Sequence, residues 1–194
     1  MGTDTRTTLI DDATALVRRR GYAGFSYADL SEAVGIRKPS IHHHFPLKED
    51  LGAAIVEAYS LAFADRLADI MARSGDRTRR LREYAGLYRE GLLAGEGCLC
   101  GVLASELAGL PEKVKSGVER FFAANLRWLE EVLRAGTPTR GAPGADAACQ
   151  QAHTVLATLQ GAVFVALAMN MPETFDTAVD GLLAALAPKP AKPA

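Results

Sequence analysis

The chain is expected to be all-α, with about nine helices, and three observations carry that expectation. Ala and Leu dominate a composition that is 48% hydrophobic, and strong β-formers are thinly spread. Apolar residues recur at three- and four-residue spacing through most of the length. The breaks between these runs are Gly, Pro and Ser-Gly-Asp clusters, which stop helices. The pattern gives three short N-terminal helices, one long connector and five further helices, with no internal repeat.

A first helix is expected over about Thr7–Arg20, with Leu9, Ile10, Ala13, Leu16 and Val17 at helical spacing and Gly21 as its stop. The stretch from Phe25 to Leu51 then reads as a short helix, a turn and a second short helix. Leu30, Ala33 and Val34 fall on one face of the first, and Ile41 and Phe45 on one face of the second. Gly35 sits between them, where a helix C-terminus wants a left-handed residue. Two helices so joined form a helix-turn-helix, whose second helix is free to enter the major groove of DNA.

From Lys48 a long helix is expected, with Leu51, Ile55, Tyr59, Phe63, Leu67 and Met71 at every fourth position, until Ser74-Gly75-Asp76 breaks it. Helices over about 77–94, 102–108, 111–134, 147–170 and 172–186 follow, with a break at the GEGCLCG run. Gly136–Asp146 reads as the one internal linker. Residues 188–194, PKPAKPA, are expected to be a disordered tail.

A length of 194 residues suits one large or two small domains, and a net charge of −1 excludes a bulk polycation. Nucleic-acid binding must therefore come from a local patch. Three cysteines, two of them at C-x-C spacing, do not form a disulfide framework, so a reduced cytoplasmic setting is expected. The polar opening MGTDTRTTLIDDA has no secretory signal character. Thr154–Met171 approaches membrane-spanning length, but it carries Thr154, Thr158, Gln160 and Asn170 and lacks flanking basic clusters. It reads as a helix buried in protein on most of its circumference, with no membrane partner.

Val155, Leu156, Leu159, Val163, Phe164 and Leu167 wrap much of the penultimate helix, and Phe175, Val179, Leu182, Leu183 and Leu186 stripe the last. A two-fold dimer forming a four-helix bundle would cover both, and so would the core of a monomer.

The run from Gly35 to Glu49, GIRKPSIHHHFPLKE, resembles the signature of the tetracycline-repressor (TetR) family, and Gly21, Phe25, Ser26, Leu30 and Ala33 match its upstream pattern. The motif covers about the first quarter of the chain. The resemblance implies a homodimer on a two-fold, double-stranded DNA operator and a C-terminal half that holds a small-molecule inducer. It divides the chain into a DNA-binding domain over 1–47, a ligand-binding and dimerisation domain over 48–187, and the tail. Pro39, His42 and Leu47 depart from the usual motif; Pro39 is tolerated in the first turn, where its missing N–H has no helical partner.

By position, Arg37, Lys38, Ser40, His42 and His43 should edge the recognition helix, with Arg37 able to read guanine through two donors. Ser26 should cap the first helix of the motif or hold a phosphate, and Lys48 should neutralise a phosphate. Successive helix positions point about 100° apart, so His42, His43 and His44 cannot close on one metal ion, and His44 should pack inward.

No enzyme site is expected: Cys98, Cys100, Cys149 and His153 lack a third orienting group, so neither catalytic residues nor a cofactor are assigned. A ligand pocket is nominated by Tyr84, Tyr88, Phe121, Phe122, Asn125, Trp128, His153, Gln160 and Phe164, although each aromatic alone would also suit ordinary core packing. Cys98 and Cys100 join this set. The run CLCGVLASE resembles one in a subset of TetR-family repressors that respond to electrophiles or oxidants, and a helix N-terminus near Gly101 would lower the Cys100 thiol pKa. The alternative is a helix-turn-helix protein whose C-terminal domain is an enzyme or a partner-binding module, with no inducer.

Overall fold

The computed structural model describes residues 2–135 and 145–187, and among them every regular element is helical. In chain order these are α1 (Gly2–Arg20), α2 (Tyr27–Val34), α3 (Lys38–His44), α4 (Lys48–Arg73), α5 (Arg77–Leu93), α6 (Leu99–Ser105), a 3₁₀ turn (Leu107–Gly109), α7 (Glu112–Ala135), α8 (Ala145–Met169) and α9 (Glu173–Leu186). Most of the linker read over 136–146 and the 188–194 tail lie outside the described residues.

Two helix starts differ from the sequence reading. α1 begins at Gly2 and not Thr7, because the polar TDTRT run carries no apolar period to mark it. α6 begins at Leu99 and not near Val102. The break is only Gly95-Glu96-Gly97; Cys98 is already the N-cap, and Leu99 and Cys100 are fully buried.

Among the described residues the contacts gather into two bodies, Met1–Asp65 with Gly95–Ala123 and Arg66–Ala94 with Ala124–Ala194. The first is built on Leu9, Ala13 and Val17 of α1, Leu30 of α2, Ile41 of α3, Leu51 and Ile55 of α4, and Leu99 and Leu103 of α6. Burying each such Leu, Ile or Val side chain stabilises the fold by about 1.5–3 kcal/mol. Leu30 is the one fully inward residue of α2, and Ala33, expected inward, is exposed. An eight-residue helix touches the core along a single edge.

The second body packs α8 against α9 and α5. The inward stripe of α8 is Ala148, Ala152, Val155, Leu159, Ala162, Val163 and Ala166, whose many small side chains let neighbouring helices approach. The opposite face is open: Phe164 is 38% exposed, Val165 48% and Met169 53%. α8 is long and apolar enough to cross a membrane, yet only one side of it is covered here. It is not buried on most of its circumference, as the apolar count suggested.

Candidate nucleic-acid interface

The helix-turn-helix is held by three local devices. Ser26 is the N-cap of α2 in extended backbone, its Oγ accepting the Ala28 and Asp29 N–H groups. Asp29 answers by accepting from the Ser26 backbone N–H (2.8 Å) and hydroxyl (2.6 Å), and these bonds hold its carboxyl below the usual range. At the other end Gly35 takes φ 73°, ψ 24°, and its N–H returns to the Ser31 carbonyl. α3 then opens on Arg37 as N-cap with Pro39 in its first turn. The Tyr27 hydroxyl donates to the Phe45 carbonyl (2.8 Å), tying the start of α2 to the end of α3.

This frame leaves a continuous exposed edge. Arg37, Lys38, Pro39, Ser40, His42 and His43 are all exposed, whereas Ile41 and Phe45 anchor α3 inward. His42 stands edge-on to Tyr27 at 4.8 Å with Nδ1 3.4 Å from the Pro46 carbonyl. His44 is half-buried against His43. The sequence thus brought Arg37, Lys38, Ser40, His42 and His43 to one surface, and Ser26 to the cap. The edge offers a guanidinium, an ammonium, a hydroxyl and two imidazoles, which suits base edges and phosphates.

Lys48 has partners within the protein. Its ammonium donates to the carbonyls of Tyr22 and Phe25, both at 2.6 Å, and lies over both rings at 4.5 and 4.3 Å. Partial burial lowers its pKa, partly opposed by Glu106 and Asp29. Two of its three donors thus clasp the α1–α2 turn.

Two residues outside the motif brace the end of α1 and the turn after it. The carboxylate of Glu106 accepts the Ala23 N–H at 2.9 Å. Arg18 near the end of α1 pairs with Glu96 (2.7 Å) and donates through Nε to the Gly97 carbonyl (2.7 Å). Sequence reading missed both, because partners so far apart in the chain leave no periodic signal.

The expected pocket residues divide. Cys98 and Cys100 are buried in the first body, and the Tyr59 hydroxyl points at Cys98 Sγ (3.7 Å). The lowered Cys100 pKa is not found: burial pushes that thiol up, and desolvation outweighs any helix N-terminal field. Phe121 packs on Tyr59 and Phe63 with Phe122 beside it, all in the first body. His153 and Phe164 lie on the exposed face of α8, opposite its inward stripe, so neither joins a buried site; His153 Nδ1 instead meets the Cys149 carbonyl at 2.9 Å.

Four of the nominated residues do converge in the second body. Tyr84 donates to Asn125 Oδ1 (2.8 Å), lies 3.0 Å from the Tyr88 hydroxyl and stacks on Trp128 with ring centres 5.2 Å apart. Gln160 is half-buried, and neither its amide nitrogen nor its oxygen has a partner.

Comparison with known proteins agrees with this geometry. A family model described as bacterial regulatory proteins, tetR family, matches residues 9–55, which span the three N-terminal helices and the start of α4. The crystal structure of a TetR-family transcriptional regulator from Agrobacterium tumefaciens is 32% identical, with a TM-score of 0.88, and the match covers 96% of this chain and 99% of that one. The HTH-type transcriptional repressor DhaR of Mycobacterium sp. (strain GP1) is 28% identical over 165 residues, 83% of this chain and 81% of its own. The HTH-type transcriptional repressor NemR of Escherichia coli (strain K12) is 27% identical over 164 residues, 82% of each.

Proposed function

Because the chain belongs to the TetR family of bacterial transcriptional regulators, we propose that it is a repressor that binds a palindromic operator as a homodimer and lets go when a small molecule binds. It is a DNA-binding regulator and not an enzyme, in keeping with relatives named as transcriptional repressors. The observation that carries the reading is the exposed edge of α3, where Arg37, Lys38, Ser40, His42 and His43 stand clear of the core on a capped helix-turn-helix.

Homodimerisation through α8 and α9 is supported by the uncovered apolar face of α8, since Phe164, Val165 and Met169 stay exposed in the single chain. A two-fold copy would cover that face and set two recognition helices about one DNA turn (~34 Å) apart. An inducer acts by binding the non-operator state more tightly, which requires a coupling of about 1–3 kcal/mol. α4 and α7 contribute residues to both bodies and are the covalent route for that coupling. The buried thiols leave an electrophile as a second class of inducer, one that must first open the α6 N-terminus.

Sedimentation tests the assembly. Phe164→Asp with Val165→Asp should convert a dimer to a folded monomer that no longer holds an inverted repeat. A thermal-shift screen tests the sensor: some small molecule should raise the midpoint without being turned over. Turnover of that molecule would favour an enzymatic second domain instead.

A further inference from the structure

The two bodies differ in how their polar groups are satisfied. Among the described residues, every buried side-chain nitrogen or oxygen without a hydrogen-bond partner lies in the second body: Trp128 Nε1, Gln151 Oε1, and both amide atoms of Gln160. Buried polar atoms in folded chains are almost always paired, so each of these atoms wants a partner from outside. The groups are also all uncharged. Among the described residues the one fully buried polar side chain is Asn125, and no Lys, Arg, Asp or Glu of the second body is buried.

Trp128 gives this deficit a location. Its indole stacks on Tyr84 at 5.2 Å and 25°, and Tyr84 in turn meets Tyr88 edge-on at 5.4 Å. With the Tyr84 proton given to Asn125, the Tyr88 hydroxyl donates to the Tyr84 oxygen. The Tyr84, Tyr88 and Asn125 side chains all have partners, whereas the indole N–H beside them, a donor with no acceptor function, has none. An incoming oxygen acceptor would complete it. A carboxylate or an ammonium would lose its hydration with no buried counter-charge to replace it.

We propose that the Tyr84–Tyr88–Asn125–Trp128 cluster is the inducer site and that it takes a small, planar, uncharged molecule presenting a carbonyl-type oxygen to the indole N–H of Trp128. This rests on the ligand-responsive reading above and gives the ligand its class. A flat molecule suits a cluster of three rings, and neutrality follows from the absence of buried charge among the described residues of this body.

Trp128 is the only tryptophan in the chain, so a ¹⁵N-labelled sample gives a single indole N–H resonance that reports this hydrogen bond directly. Four probes of similar size separate the chemistry: acetophenone (neutral acceptor), ethylbenzene (no acceptor), benzoate (anion) and phenyltrimethylammonium (cation). Acetophenone should move the indole proton downfield and saturate at a concentration about tenfold lower than ethylbenzene needs to perturb it, the ratio one hydrogen bond to an otherwise unsatisfied buried donor supplies. The two ions should leave it unmoved. Saturation by benzoate or phenyltrimethylammonium at or below the acetophenone concentration overturns the class. An indole resonance that none of the four moves overturns the site and leaves Trp128 to an ordered water. Trp128→Phe keeps the ring and removes the donor, so its thermal shift with acetophenone should fall to that seen with ethylbenzene; an unchanged shift also overturns the assignment. The regulatory reading fails separately: it falls if acetophenone binds as described and no molecule of the class releases DNA. Release of DNA by a molecule that leaves the indole resonance still would spare that reading and sink the site.

Discussion

The carboxylate of Glu106 accepts the backbone N–H of Ala23, joining the end of α6 to the turn that leads into the helix-turn-helix. Its other oxygen occupies the space a side chain on Gly21 would need: a Cβ there would come within 1.7 Å of Glu106 Oε1. Gly21 itself has φ +78°, a conformation that non-glycine residues adopt at a cost of about 1–2 kcal/mol.

Gly21→Ala should therefore destabilise the chain by at least that amount and lower its thermal midpoint by several degrees, at about 2–4 °C per kcal/mol for a chain of this size. Glu106→Ala removes the obstructing carboxylate along with the Ala23 bond. The double variant should be less impaired than the sum of the single changes, because both act on one contact. Strict additivity in denaturant unfolding would show that the two residues do not touch.

Lys48→Met keeps the aliphatic stem and deletes the ammonium that holds the Tyr22 and Phe25 carbonyls. Stability should drop by about 1.5–3 kcal/mol, the range for hydrogen bonds to a charged group. The salt dependence of DNA binding should keep its slope. A slope reduced by about one would identify Lys48 as a phosphate ligand after all.

Arg37 is the base-reading candidate, exposed at the N-cap of α3. Arg37→Ala should cost about 1–3 kcal/mol on the preferred operator and relax the preference at one position of each half-site. Binding measured across a library of operator variants decides it. A variant that ranks every sequence as the parent does contradicts the assignment.

Native thiol reactivity follows burial. Cys149 is half-buried, Cys98 is 5% exposed and Cys100 is fully enclosed with its pKa raised. A raised pKa means less thiolate at any given pH, so Cys100 should alkylate last and Cys149 first. Mass spectrometry after brief iodoacetamide treatment gives the order. Early modification of Cys100 would mean that α6 opens readily.

Much of this was legible in the sequence because helices announce themselves by period. Leu51, Ile55, Phe63 and Leu67 marked α4 from the first turn, and Gly35 marked the turn of the motif by the one conformation it permits. The exposed edge of α3 was readable for the same reason: Ile41 and Phe45 fix which side faces in, so Arg37, Ser40 and His43 face out. The contacts that brace the motif were not readable. Arg18 with Glu96, Glu106 with Ala23, and Lys48 with Tyr22 join residues whose pairing depends on tertiary placement alone. The aromatic cluster of the second body was half legible. Residue type nominated Tyr84, Tyr88, Asn125 and Trp128 correctly as neighbours, yet it also nominated Phe164 and His153, which the register of α8 turns outward.

The central claim, that this chain is a sequence-specific DNA-binding regulator acting as a two-fold dimer, is tested most directly by selecting genomic fragments on the purified protein at a fixed salt concentration and sequencing what is retained. A short inverted repeat with half-sites about one helical turn apart is the expected result. Retention with no preferred sequence at any of several salt concentrations would contradict it.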